Sequence, residues 1–251
     1  MTRRRFYAPQ ISFASDGRSA TLSADEARHA RDVLRLARGD EVFVFDDEGR
    51  EYRCAVMEVT SRTMTVDIVE QVEPAKPESP LDLTLGVALL KSEKFDLVVQ
   101  KATELGVKRI MPLLSERADV KIREPQDAKR KLERWQRIAL ESAKQCGRAR
   151  LMKIDAPSNF ADALDALGDA ELKLFLAERS GGPLKFPAGG PSNVQSVAAL
   201  VGPEGGWADE EIQRGRAAGW EIVTLGGRTL RAETAAIAVA TLLQHRFGDL
   251  R

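Results

Sequence analysis

The segment Glu73-Pro-Ala-Lys-Pro-Glu-Ser-Pro80 places three prolines in eight residues and constrains this chain more than any other stretch. Each proline lacks a backbone N–H and fixes φ at about −65°, so neither a helix nor an inner strand runs through it. The 251-residue chain is therefore expected to divide there into a first domain at 1–73, a linker at 74–80 and a second domain at 81–251. Before the linker, Ser23 and Glu26 have the spacing of a capping box, which predicts a helix from Ser23 to about Ala37 that stops at Gly39. Two apolar runs at 41–45 and 52–59 flank Asp46-Asp-Glu-Gly-Arg50 as a hairpin, and 63–72 adds a strand, giving a small β-barrel-like unit. Beyond the linker, strands at 81–90 and 109–114 enclose a helix at 93–105 whose Phe95, Val98, Val99, Ala102 and Leu105 share one face. That is a βαβ unit, and it implies an α/β domain with a parallel sheet. A long helix is expected over 127–146, with strands at 172–176, 197–201 and 221–224 and a helix at 209–218. The last helix, 233–246, is alanine-rich and apolar on nearly every side, so it is expected to be buried.

A composition of 43% hydrophobic and 30% charged residues excludes disordered, collagenous and coiled-coil classes. The longest apolar stretch, 235–243, is far short of the ~20 residues that cross a bilayer, so no membrane partner is expected. The start, Met1-Thr-Arg-Arg-Arg-Phe-Tyr-Ala-Pro9, has basic residues with no apolar run behind them, and a cytoplasmic protein is expected. Cys54, Cys146, His29 and His245 fit no metal-ligand spacing, so no metal is expected. Net charge is zero, yet residues 116–153 carry twelve Lys and Arg against six acids, and 1–73 carries eleven Arg and no Lys. Arginine's planar fork suits phosphate contacts. Arg28, Arg31, Arg35 and Arg38 recur at helical spacing on one face of the first predicted helix, and Arg130, Arg134 and Arg137 mark the polar face of the long one. The alternative for the first set is an ordinary solvated helix side, and for the second, pairing with neighbouring acids.

Ala198-Ala-Leu-Val-Gly-Pro-Glu-Gly-Gly-Trp207 is a strand entering a glycine-rich loop, followed by the acidic turn Ala208-Asp-Glu-Glu211. Such a loop exposes backbone N–H groups and lets a ligand approach the main chain, with Gly205 expected to leave that space. It is neither a dinucleotide fingerprint nor a P-loop, and its acids oppose a phosphate, so a neutral or cationic ligand is expected. Leu225-Gly-Gly-Arg-Thr-Leu-Arg-Ala-Glu-Thr-Ala235 is a second loop in the same strand-to-helix setting. Two such loops at carboxyl ends of parallel strands make a ligand crevice. Taken singly, each is also a plain turn, with Arg231 and Glu233 an exposed capping pair.

Together these blocks resemble the RsmE family of SPOUT methyltransferases, which methylate N3 of a uridine in 16S ribosomal RNA. Gln100-Lys-Ala-Thr-Glu-Leu-Gly106, Ser115-Glu-Arg117, Arg134-Trp135, Gln145-Cys-Gly-Arg148 and Arg246-Phe-Gly-Asp-Leu250 are similar to its other blocks, in order, from Arg4-Arg5-Phe6 onward. Ala232 departs from the family's threonine, so no hydroxyl is assigned there, and 156–196 matches weakly. The resemblance implies a C-terminal SPOUT α/β domain with a trefoil knot, a PUA-like RNA-binding domain at 1–73, and a homodimer. It implies S-adenosylmethionine as cofactor, held by Leu176, Ala177, Gly202, Pro203, Glu204, Gly205, Gly206, Leu225, Gly226, Arg228 and Leu230. The RNA partner, 16S ribosomal RNA or the assembled small ribosomal subunit, is assigned to Arg4, Arg5, Arg28, Arg31, Arg35, Arg38, Arg130, Arg134 and Arg137. Arg231 is expected to stabilise charge developing on the uracil oxygens, while Glu233 either accepts the N3 proton or positions Arg231. A SPOUT enzyme for ribose 2′-hydroxyls of tRNA or rRNA is the rival. A non-catalytic RNA-binding protein fails to explain two intact glycine-rich loops.

Overall fold

A computed structural model describes residues 3–91, 93–186 and 194–251. The chain forms two compact units, Met1–Glu78 with Leu140–Leu151, and Ser79–Ala139 with Met152–Arg251. The first unit holds strands β1 (Arg5–Tyr7), β2 (Ser19–Leu22), β3 (Glu41–Phe45), β4 (Glu51–Val59) and β5 (Met64–Val72), with helix α1 (Ala24–Arg28). The strands form one sheet in the order β1-β3-β4-β5-β2, antiparallel except for the parallel β1–β3 pair. Alternation along them buries Phe6, Leu22, Val42, Val44, Val56, Met64 and Val66 in one core.

The helix expected from Ser23 to Ala37 is shorter. Ser23 caps α1 by accepting from the Glu26 N–H at 3.4 Å, but the α-helix ends at Arg28. A π-helical turn, His29–Val33, follows, in which the Leu34 N–H reaches back five residues to the His29 carbonyl. Arg35 then takes φ 50°, a left-handed conformation that stops the helix. The four arginines therefore do not share one α-helical face. Glu26 does not close the capping box either: its buried carboxylate accepts from Lys144 Nζ at 2.9 Å.

Segment 140–151, expected in the second domain, belongs to the first unit because Arg5 captures it. The buried Arg5 guanidinium donates to the carbonyls of Ala143 at 3.0 Å and Arg148 at 2.8 Å while forming a fork with fully buried Glu51. Carbonyls at a helix end lack partners within the helix, and an arginine is well shaped to satisfy several at once.

The second unit holds β6 (Asp82–Ala88), α2 (Glu93–Glu104), β7 (Arg109–Leu114), β8 (Lys153–Ile154), β9 (Ser158–Asn159), α4 (Phe160–Ala166), β10 (Leu172–Leu176), β11 (Gly182–Pro183), β12 (Ser196–Val201), α5 (Asp209–Ala217), β13 (Glu221–Thr224) and α6 (Ala232–Phe247). The long helix α3, Pro125–Cys146, starts in this unit and ends in the first. The strands form a parallel sheet in the order β11-β13-β10-β12-β6-β7-β8, with β9 also beside β7. Strand β12 thus enters between β6 and β10, both earlier in the chain. The near-continuous apolar runs of β6, β10 and β12 are buried, as a parallel sheet requires. Helix α6 buries Ala236, Val239, Ala240 and Leu243 completely, whereas Leu242 stays 39% exposed, so it is covered on one side rather than all round.

Candidate functional site

Because the sheet is parallel, the carboxyl ends of β10, β12 and β13 lie at one edge. The loops that leave them bound a cavity of about 400 Å³, a size that suits a small-molecule ligand. All eleven residues assigned to the cofactor line it, as does Arg231. Glu233 does not line it. The lining residues that were not assigned include Arg117, Glu178, Arg179, Ser180, Trp207 and Asp209. The third loop, after β10, carries a usable signal in Gly181-Gly182, which begins five residues beyond the strand's last residue. A Cβ on Gly181 would fall 2.4 Å from the Val223 carbonyl carbon, so β13 approaches this loop as only glycine allows.

Trp207 locks the loop after β12 to the end of β10. Its indole N–H donates to the Leu176 carbonyl at 2.8 Å, and its ring packs on Phe175 at 4.7 Å between centroids. A Cβ on Gly202 would stand 2.8 Å from that indole nitrogen, which fixes glycine at the position. Gly205 differs from expectation: its Cβ would meet the Arg117 carbonyl oxygen at 3.1 Å, so the missing side chain serves packing against the chain after β7 rather than ligand space alone. Buried Glu211 holds the same region together. It accepts from the N–H groups of Ala208 at 2.9 Å and Glu116 at 3.1 Å, and from the Ser115 hydroxyl at 3.1 Å. Gly206, Gly226 and Gly227 have φ of 71°, 74° and 73°, a turn conformation that side chains oppose. The Thr229 hydroxyl donates to Glu178, clasping the loop after β13 to the loop after β10.

Three acids line the cavity, and two of them are engaged. Glu204 pairs with Lys94 at 2.8 Å. Burial pushes the Glu204 carboxyl up, but hydrogen bonds from Lys94 and from backbone N–H groups outweigh it and hold the group below its ordinary value. Glu178 receives Thr229. Arg231 is the N-cap of α6, with a side chain 79% exposed and Nη1 4.0 Å from Glu233 Oε1. The other carboxylate oxygen of Glu233 is buried with no hydrogen-bond partner among the described residues.

The residues assigned to RNA divide. Arg5 is a correction: its donors are spent inside the first unit, so it presents nothing to a phosphate. Arg28 pairs with Asp25 at 3.8 Å, Arg31 with Asp32 at 2.6 Å and Arg130 with Asp127 at 2.5 Å, and Arg134 pairs with Asp96, so neighbouring acids temper these four. Arg4, Arg35, Arg38 and Arg137 are exposed and form no ion pair among the described residues.

Residues 77–244 match the RNA methyltransferase domain family and residues 22–69 the RNA methyltransferase PUA domain family. The chain is 37% identical over 175 residues to the ribosomal RNA small subunit methyltransferase E of Mesomycoplasma hyopneumoniae, covering 70% of this chain and 74% of that protein. Against the Aquifex aeolicus protein of the same name, identity is 32% over 91% of this chain and 95% of the other. A Neisseria gonorrhoeae ribosomal RNA small subunit methyltransferase E, solved with S-adenosylmethionine, superposes with a TM-score of 0.85 at 30% identity, over 99% of this chain and 100% of that one. A Legionella pneumophila protein solved with the same bound cofactor gives 0.88 at 32% identity over 100% of both chains.

Proposed function

The chain belongs to the ribosomal RNA small subunit methyltransferase E family, and from that membership we propose that it methylates N3 of a uridine in 16S ribosomal RNA, free or in the assembled small subunit, with S-adenosylmethionine. The convergence of three glycine-bearing loops on one cavity at the carboxyl edge of the sheet carries this reading. The cavity's residues fit the cofactor. Leu176, Val201, Val223 and Leu225 offer apolar surface to an adenine ring, and main chain at Gly226 is open to close approach. Glu178 and Asp209 suit a cationic ligand, in keeping with the cofactor's sulfonium and ammonium groups. When bound, the cofactor supplies an electrophilic methyl group.

The chain's own task is to hold the uracil and ease the departure of its N3 proton. Uridine N3 is protonated at neutral pH, and loss of that proton places negative charge on the flanking oxygens. Arg231, exposed at the cavity, stabilises that charge through charge-assisted hydrogen bonds. Glu233 lies off the cavity wall and next to Arg231, which favours the positioning role over proton acceptance. The insertion of β12 between β6 and β10 supports a trefoil knot in this domain, and the open side of α6 supports a homodimer. The first unit serves as the RNA-binding PUA-like domain, with Arg4, Arg35 and Arg38 among its exposed cations, and the protein works in the cytoplasm. No helix among the described residues is long and apolar enough to cross a membrane.

Primer extension on 16S ribosomal RNA tests the proposal, because a methyl on N3 blocks the Watson–Crick edge. The expected result is a polymerase stop that disappears when the gene is deleted and returns on complementation. A stop unaffected by deletion overturns the N3 assignment, and a 2′-O-methyl lost instead selects the ribose reading.

A further inference from the structure

The cavity mouth carries more positive charge than its cofactor explains. Arg117, Arg179, Arg228 and Arg231 all line it and all are exposed. The first three form no ion pair among the described residues, and Arg231 reaches a carboxylate only at 4.0 Å. S-adenosylmethionine carries a net positive charge at neutral pH, and its one carboxylate needs one guanidinium at most. Four guanidiniums around a cationic ligand repel it unless a polyanion shares the mouth. Of the three lining acids Glu204 is neutralised by Lys94, so Glu178 and Asp209 leave two negative charges against four arginines.

We propose that Arg117 and Arg179 bind the phosphates that flank the target nucleotide, so that this rim sets the register of RNA over the site. The proposal rests on the methyltransferase reading above. A base that is modified at its Watson–Crick edge must leave its stack and enter the pocket, which draws its own 5′ and 3′ phosphates to the pocket's lip. Phosphate contacts fix position without reading sequence, and free arginines at the lip supply them. The arginines sit on two different loops, after β7 and after β10, so together they hold a strand at two points. Both loops are tied down nearby, the first by Glu211 and the second by the Thr229–Glu178 clasp.

The test uses the full chain and a single-stranded RNA oligonucleotide containing the target uridine, with affinity measured by fluorescence anisotropy across a potassium chloride series. Arg117→Ala and Arg179→Ala are each expected to flatten the log–log salt slope by about 0.7, and the double variant by about twice that. Arg→Lys variants keep the charge and are expected to restore the slope. Cofactor affinity by calorimetry is expected to stay within about threefold, as binding of a cation that does not rely on these arginines should, and the Arg117→Ala variant keeps the Cβ that packs beside Gly205. Unchanged RNA slopes in folded variants overturn the proposal, as does a loss confined to cofactor binding. The readout is RNA affinity, so the two failures separate: a wild-type protein that methylates neither this RNA nor the small subunit overturns the functional reading, whereas unchanged slopes overturn the rim.

Discussion

Arg231 and Glu233 stand two positions apart at the start of α6 and meet opposite surroundings. Arg231 lines the cavity with 79% of its side chain exposed, while Glu233 is buried with one oxygen unpaired among the described residues. A donor that meets charge only as it develops stabilises the transition state more than the bound substrate. Arg231→Ala is therefore expected to lower turnover at saturating RNA and cofactor by roughly 10²–10³, with RNA affinity largely kept. Single-turnover transfer checks this, and an unchanged rate removes Arg231 from the chemistry. Cys54 illustrates the reverse case, a reactive group silenced by its setting. Burial pushes its thiol up to about 12, so at pH 8 the thiolate is only about one part in ten thousand. Cys146 is partly exposed. A thiol reagent at pH 8 is expected to modify Cys146 in the native protein and Cys54 only after denaturant is added. Modification of both thiols at equal rates in native buffer would contradict the burial.

Elements whose cause is local were legible in the sequence, and those whose cause is distant were not. The strands β6, β10, β12 and β13 and the helices α2 and α5 follow from apolar runs and caps within their own residues, and the structure has them within a residue or two at each end. Helix α1 ends at Arg28, short of Ala37, because a π-helical turn and the left-handed Arg35 follow it, and Glu26 does not close the capping box because Lys144, 118 positions away, claims its carboxylate. Arg5 was misassigned for the same reason: no short window shows that Ala143 and Arg148 need its donors. At the site, glycine-rich loops after strands exposed two of three walls, while Trp207 was read only as the residue after the glycines. Its importance gives a prediction for the loop after β12. Gly202→Ala would press a methyl to 2.8–3.1 Å from three indole atoms and displace the donor of the Leu176 bond. Overpacking of this kind costs about 1–3 kcal/mol. Denaturation followed by tryptophan fluorescence should show that loss, together with weaker cofactor binding. A variant as stable as the parent would mean that Trp207 moves freely and does not fix the cavity.

Over the molecule as a whole, net charge is zero, so recognition of a polyanion depends on where cations lie rather than on how many there are. Assembly is equally a matter of distribution. Helix α6 buries Ala236, Val239, Ala240 and Leu243 inside the second unit, yet its sequence continues apolar through Ile237, Ala238 and Leu242 on the remaining surface. Leu97 of α2, the helix against which α6 packs, and Leu242 of α6 are each 39% exposed. Exposed apolar side chains on two packed helices suit a second copy of the chain better than water. A two-fold interface is self-complementary, so each substitution alters it twice. The wild-type protein is accordingly expected to sediment as a dimer at micromolar concentration, and Leu242→Asp to shift it toward monomer. Two carboxylates brought into an apolar interface must be desolvated or leave it, and separation is the less costly outcome. Circular dichroism should show the helix content of Leu242→Asp unchanged, because the substituted position faces outward. A wild-type monomer at that concentration with methyl transfer intact would show that α6 tolerates its exposed side and that one chain completes the site alone.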